Sequence, residues 1–180
     1  MYKLYDINFD QSVYFTAASG LVANGFVDAS GNLNISIIDG DIDQYLIENS
    51  AQQEAGLTTL EEASILPAIT IEDLDYSTSP GALGGATWKN RSYVISVFGK
   101  TPTHSKEIAE TLQRTFASGI RVYDYDMGAP TTSGFPLSGQ YIGRFSINNI
   151  RNQRIVLPSY SILDSVRREV SFEIVSLKET

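Results

Sequence analysis

Few residues in this 180-residue chain have the types and spacing that catalysis requires. The only histidine, His104, lies at the predicted start of a helix, and no Gly-x-Ser-x-Gly motif supplies a nucleophile for it. Cysteine is absent, which excludes a thiol nucleophile, a zinc knuckle and a disulfide framework. We therefore expect His104 to have a surface or helix-capping role, and we predict no catalytic residue and no enzyme activity.

One acidic run has the composition of a metal site. Asp39, Asp41 and Asp43 are spaced like the first ligands of a calcium loop. Gln44 stands where an EF-hand has glycine and Ser50 where it has glutamate, so an EF-hand is excluded. Irregular binding of calcium or magnesium is an alternative, but turn and helix-cap roles are the interpretation we favour for these acids. We predict no metal site and no cofactor.

Two other patterns are weak indications of chemistry. The pairs Glu61-Glu62 and Asp73 with Asp75 could suit a glycosidase, but their adjacency in sequence does not set the separation across a sugar ring. The run Gly81-Ala82-Leu83-Gly84-Gly85 is followed by no Lys-Ser or Lys-Thr and lacks the strand-loop-helix context of a phosphate site. It predicts a flexible hairpin instead.

The net charge of −8 argues against tight binding of nucleic acid, because phosphate contacts need clustered lysines and arginines. One basic cluster lies in the last third of the sequence: Arg144, Arg151, Arg154, Arg167 and Arg168. Asp164 and Glu169 are interspersed with it, which favours a solvated, salt-bridged surface. An acidic partner for this segment is the alternative.

Composition and organisation indicate one domain over residues 1–180. Apolar residues make up 42% of the chain and charged residues 19%, which is ordinary for a globular protein. No repeat and no low-complexity run divides the sequence. The start lacks the apolar stretch of a signal peptide, and no later stretch is long enough to cross a membrane, so we expect a cytoplasmic protein at synthesis.

The first 65 residues predict short elements. Loose alternation of apolar residues over 4–17 predicts a half-buried strand or hairpin. Leu33, Ile35 and Ile37 alternate with polar residues between two turns and predict a short strand. Helical spacing predicts a helix over 42–55, and residues 58–64 read as a connecting segment.

The pattern is clearest from residue 66 onward. It predicts a strand at 68–71, a Gly-rich excursion at 79–85, an antiparallel strand at 88–98 that is apolar on both faces and therefore central, and an amphipathic helix at 105–118. A strand at 120–125, a loop at 128–139, a basic connection from Gly143 and a final strand at 168–175 follow. The predicted class is α+β, with a mainly antiparallel sheet, one principal helix across it and a long hairpin excursion.

This order resembles that of phage tail terminator proteins. The motifs that carry the resemblance are Leu66-Pro67-Ala68-Ile69-Thr70-Ile71, the Gly-rich excursion, Thr87-Trp88, the strand from Tyr93 to Phe98 and the helix after it. They cover residues 66–118 well, and the final strand fits the family loosely. The first 60 residues are atypical, because they lack an obvious long N-terminal helix.

The resemblance implies a structural virion protein, made in the host cytoplasm, that forms a sixfold ring at the head-proximal end of the tail tube. Its implied partners are copies of itself, the tail tube protein and a neck or head-completion protein, with DNA passing through the lumen without sequence-specific binding. The acidic charge would let DNA slide. The candidate interface residues are Tyr76, Leu83, Trp88, Phe135, Arg151 and Arg154. The alternatives are another head-tail connector or neck protein and a small non-catalytic binding module.

Overall fold

Two helices and seven strands are seen in the computed structural model, which describes residues 6–40, 66–80, 87–124, 140–155 and 166–178. In chain order they are α1 (Asp6–Ala23), β1 (Ser36–Asp39), β2 (Ala68–Pro80), β3 (Thr87–Phe98), α2 (Pro102–Ala117), β4 (Ile120–Asp124), β5 (Gln140–Phe145), β6 (Ile147–Arg154) and β7 (Arg167–Lys178). The predicted α+β class is confirmed. The helix predicted at 42–55, the connecting segment at 58–64, the loop at 128–139 and most of the Gly-rich excursion lie outside the described residues.

Five strands form one sheet in the order β1-β2-β3-β7-β6. β1 is parallel to β2, and the other pairs are antiparallel. β3 has a neighbour on each side along its whole length, which confirms its predicted central position. β4 and β5 pair antiparallel as a separate two-stranded sheet.

The main core lies between one face of the five-stranded sheet and the two helices. Alternate residues of the central strands point into it, among them Ile69, Ile95, Phe172 and Ile174. α2 contributes its predicted stripe: Ile108, Ala109, Leu112 and Phe116 are all fully buried. We call this side of the sheet the helix face and the opposite side the outer face. A smaller apolar cluster of Ile38, Leu66, Ala68, Phe98 and Val166 lies at one end of the outer face.

The strand or hairpin predicted over residues 4–17 is wrong, because residues 6–17 belong to helix α1. The buried apolar residues recur every four positions, at Phe9, Val13, Ala17 and Leu21, as a helix requires. Polar Asn8 and Ser12 are also fully buried, while Val22 is 42% exposed. The buried face of the helix therefore contains both polar and apolar residues. For this reason the pattern of apolar residues alone does not indicate a helix here.

The segment after Gly143 is also different from the prediction, since the expected basic connection contains the end of β5 and the edge strand β6. β6 has the polar sequence INNIRNQR, and only its two isoleucines pack against the core. Asn149 adopts a φ of 53° where the register with β7 shifts. Because this edge strand has one neighbour and an irregular alternation, its sequence carries no clear strand signal.

Candidate assembly surfaces

One edge of the sheet is acidic. β1 pairs only with residues 68–71 of β2, so along residues 72–80 β3 is the only strand beside β2 in the described part of the chain. β2 contains Glu72, Asp73 and Asp75 and no basic residue. A β-bulge lies between Asp73 and Asp75, and the Leu74 side chain at the bulge is 53% exposed. An acidic bulge protects an edge from uncontrolled strand pairing.

The opposite edge of the sheet is basic. In the described ranges β6 pairs with β7 alone, and it contains two arginines and no acidic residue. Arg151 lies opposite Ser171, and Arg154 lies opposite Arg168; both are exposed. The two edges of this sheet therefore carry charges of opposite sign.

Three of the six predicted interface residues have described side chains. Trp88 is 42% exposed at the hairpin end of the sheet, where it pairs with Ser79 and Leu177. Arg151 and Arg154 lie on the β6 edge, three strands away from β2. The structure therefore places these three residues at the surface in two separate regions. The backbone of Tyr76 pairs with Arg91, and the Leu83 and Phe135 positions lie outside the described residues.

The arginines of the predicted basic cluster have different surroundings in the structure. Arg167 forms an ion pair with Glu169 at 2.8 Å, as the interspersed acids indicated, and its guanidinium also donates to the Ser96 hydroxyl at 3.3 Å. Arg168 donates to the Asn152 side chain at 3.3 Å. These two residues are held by their neighbours on β3 and β6, whereas Arg151 and Arg154 face solvent at the edge.

Sequence reasoning missed a buried polar cluster beneath α1. Arg91 is only 3% exposed, and its guanidinium lies 3.9 Å from the centre of the Phe9 ring and 2.6 Å from the Ser176 hydroxyl. Tyr93 donates its hydroxyl hydrogen to the Asp10 carboxylate at 2.7 Å. Burial and this contact with Asp10 raise the pKa of Tyr93 above its ordinary value. The cluster joins α1 to β3 and β7, so we assign it a structural role.

A second feature missed in the sequence lies on the β4–β5 sheet. Arg121 lies opposite Arg144, and Tyr123 lies opposite Tyr141 with ring centres 5.8 Å apart. These four side chains line an open depression of about 470 Å³. In sequence the two halves are about 20 residues apart, and only the pairing of β4 with β5 brings them together. We call this feature the Arg/Tyr depression.

The structure gives His104 a local role at the start of α2. Its backbone nitrogen donates to the Thr101 side chain at 3.1 Å, its Nδ1 accepts from the Lys100 backbone at 3.3 Å, and its ring stacks on Phe26. Within the described ranges, no group of three His, Asp or Glu side chains could hold a metal ion. None of the helices described is long and apolar enough to cross a membrane.

Comparison with known proteins gives no assignment: no protein-family model matches the chain, and no curated protein matches it. The charged edges, the exposed residues near them and the resemblance over residues 66–118 are therefore the basis of the function proposed next.

Proposed function

We propose that this chain is a tail terminator of a long-tailed phage. In this role it forms a ring at the head-proximal end of the tail tube, ends tube polymerisation and joins the tail to the neck. The described motifs of residues 66–118 support this proposal, because the two strand motifs and the helix fall on β2, β3 and α2 in the order that the resemblance requires. The 18-residue helix α1 supports it too, since the absence of a long N-terminal helix was the main departure from the family.

The opposite charges of the two sheet edges carry the proposal. The acidic strand β2 and the basic strand β6 are separated by β3 and β7, hence by about 14 Å at roughly 4.8 Å per strand. In a two-fold symmetric contact through either edge, charges of the same sign would face each other. A head-to-tail contact brings the acidic edge of one copy to the basic edge of the next, and such contacts close into rings when the rotation between copies allows it.

The ring would present a surface to each of two neighbours, the tail tube protein and a neck protein. The net charge of −8 suits a channel for DNA, because phosphate is repelled by an acidic wall and does not bind to it. No chemical step is needed for this role. The energy of assembly comes from contacts between copies and from contacts with the tube.

Negative-stain microscopy and mass photometry of the purified chain test the proposal. We expect ring-shaped particles, either of the chain alone at high concentration or at one end of purified tail tubes of its own virus. The combined variant Arg151→Glu and Arg154→Glu should weaken ring formation by roughly tenfold or more, because the new glutamates would face the acidic β2 edge of the next copy and repel it. A chain that stays monomeric and binds no tube end would overturn the proposal.

A matched control uses two other exposed bases. Lys100 and Lys106 lie at the start of α2, away from both sheet edges, and the pair of substitutions Lys100→Glu and Lys106→Glu makes the same change of net charge. The Lys106–Glu110 ion pair that it removes is solvent-exposed, so it contributes little to stability. Rings of this control should form as in the wild-type chain. Equal weakening in both variants would mean that net charge, and not the β6 edge, governs assembly.

A further inference from the structure

The Arg/Tyr depression has the composition of a binding site for an acidic group. Arg121 and Arg144 face each other across β4 and β5, and like charges in directly opposite positions destabilise a sheet. Among the described residues that line the depression there is no carboxylate. A negatively charged group placed between the two guanidiniums would relieve this repulsion and accept hydrogen bonds from both.

Part of the depression is held rigidly before any ligand arrives. The Arg144 guanidinium donates to the Ser118 carbonyl at the end of α2. The Tyr123 ring packs edge-to-face between Phe15 and Tyr141, with 5.8 Å between ring centres on each side. The Arg121 side chain is exposed, and none of the described residues forms a hydrogen bond or ion pair with it. A preorganised site loses little conformational entropy on binding.

A protein segment fits this site better than nucleic acid. Two bases are found among the described residues that line the depression, and the chain has a net charge of −8, whereas binding to a phosphate backbone needs several clustered cations. Arginine and tyrosine are among the residue types that supply most of the binding energy at protein interfaces. The four lining residues therefore favour a partner that combines carboxylates with an apolar side chain.

The chain itself contains such a segment. At the bulge of β2, Leu74 projects with 53% of its surface exposed and is flanked in sequence by Asp73 and Asp75. Tyr141, on the rim of the depression, is likewise 53% exposed. The leucine matches the tyrosine pair in polarity, and its neighbouring acids match the adjacent arginine pair in charge.

We propose that the Arg/Tyr depression of one copy receives the Leu74 bulge of the next copy. This inference rests on the proposed head-to-tail ring and identifies its contact. The depression adjoins the basic edge, because Arg144 precedes the first residue of β6 by three positions. The acidic half of β2 would thus meet the depression, which lies at the β5 end of the basic edge.

Charge exchange between two variants tests the contact. Arg121→Glu reverses the receiving side and Asp73→Arg reverses the inserted side, so each variant alone should lower ring formation by at least roughly tenfold. An equimolar mixture should restore rings, because each reversed surface then meets its reversed counterpart and each unchanged surface meets an unchanged one. Such rings alternate the two variants. Lys106→Glu, on an unrelated exposed surface, serves as the control for Arg121→Glu.

Cysteine cross-linking tests the same contact without requiring a ring. The chain contains no cysteine, so Leu74→Cys in one copy and Tyr141→Cys in another introduce the only thiols present. Mixing these two variants with a short thiol-specific cross-linker should yield a covalent heterodimer. Val22→Cys replaces an apolar residue that is 42% exposed elsewhere, and its mixture with Tyr141→Cys should yield far less.

The outcomes separate this inference from the function proposed above. The contact would be overturned, and the ring proposal would stand, if two results were obtained together. The Arg121→Glu variant would form rings as well as the wild-type chain does, and no selective cross-link would form between positions 74 and 141. A monomeric wild-type chain that binds no tube end would overturn the ring proposal. In that case a selective cross-link would still establish the contact, and its absence would overturn the contact as well.

Discussion

Helices α1 and α2 pack on the same face of the sheet, yet their sequences specify them in different ways. α2 has an N-cap at Thr101, a proline at its first position and a charged, exposed face opposite its apolar stripe. α1 also has an apolar stripe, but Asn8 and Ser12 are fully buried beside it and Val22 is 42% exposed. The difference indicates that α2 is encoded locally, whereas α1 depends on the strands it covers.

The contacts of α1 reach far along the chain. The Ser12 hydroxyl accepts a hydrogen bond from the Tyr123 backbone at 3.2 Å, and the Tyr14 hydroxyl donates to the Ile71 carbonyl at 3.4 Å. Asp10 accepts from Tyr93, as described above. These polar contacts satisfy groups that would otherwise be costly to bury. Stability at α1 should therefore respond most strongly to changes at its buried face.

Phe9→Ala should have the largest effect on stability. The Phe9 ring is fully buried, packs edge-to-face on Phe145 at 5.0 Å and lies over the Arg91 guanidinium. Its removal leaves a cavity beside a buried cation, and we expect a loss of about 3–5 kcal/mol in the free energy of unfolding, measured by urea denaturation. Phe15→Ala, on a partly exposed face of the same helix, is the control and should cost clearly less. Equal costs would contradict the assignment of the buried face.

Gly20→Ala tests the line along which the two helices meet. A Cβ at Gly20 would lie 2.5 Å from both Cγ2 and Oγ1 of Thr115, whose hydroxyl donates to the Thr111 carbonyl at 2.9 Å. Overpacking of about 1–3 kcal/mol should exceed the gain of up to about 1 kcal/mol in helix propensity. We expect a net destabilisation of roughly 1 kcal/mol in the same denaturation experiment.

The second substitution of this pair makes the test specific. Thr115→Ala removes the two atoms that the new Cβ would meet, so Gly20→Ala should cost less in the Thr115→Ala background than in the wild-type chain. Ser19→Ala, at an exposed position next to Gly20, should be nearly neutral. If Gly20→Ala stabilises the protein, the helices do not approach each other as closely as the structure indicates.

The same contrast explains which parts of the fold the sequence predicts. α2, β3, β7 and the first four residues of β2 were predicted because each carries a regular pattern of its own, such as Val170, Phe172 and Ile174 in β7. β2 continues to Pro80, so the prediction that the Gly-rich excursion begins at Ser79 was wrong. α1 was predicted as a strand because Phe9, Val13 and Phe15 are at odd positions, which lie on one face of a strand. The polar residues on its buried face obscured the helical period. The buried Ser12 hydroxyl accepts a hydrogen bond from the Tyr123 backbone, and no local sequence pattern shows such a distant contact.

The candidate surfaces also include features that the sequence predicts and features that it does not. Exposed Trp88, Arg151 and Arg154 were predicted as interface residues from their types and positions, and the structure places all three at the surface. The opposite charges of the sheet edges could not be predicted, because they depend on β6 being an edge strand. The polar sequence of β6 does not indicate a strand. Arg121 and Tyr141 belong to strands whose pairing is not apparent in either segment alone. Local patterns thus identify elements, whereas the site requires knowledge of which strands pair.

Thr101→Ala should have an effect no larger than that of Gly20→Ala, and it tests whether α2 is encoded locally. Thr101 has extended backbone angles, and its side chain accepts a hydrogen bond from the His104 backbone, so alanine leaves that donor without its cap. We expect a loss of about 1 kcal/mol in the free energy of unfolding. Thr101→Ser keeps the hydroxyl and should restore nearly all of it, while Thr103→Ala, at an exposed position in the first turn, should change little. If Thr101→Ala also changes little, then α2, like α1, is held chiefly by its contacts with the sheet, and the contrast between the two helices lies in sequence pattern and not in energy.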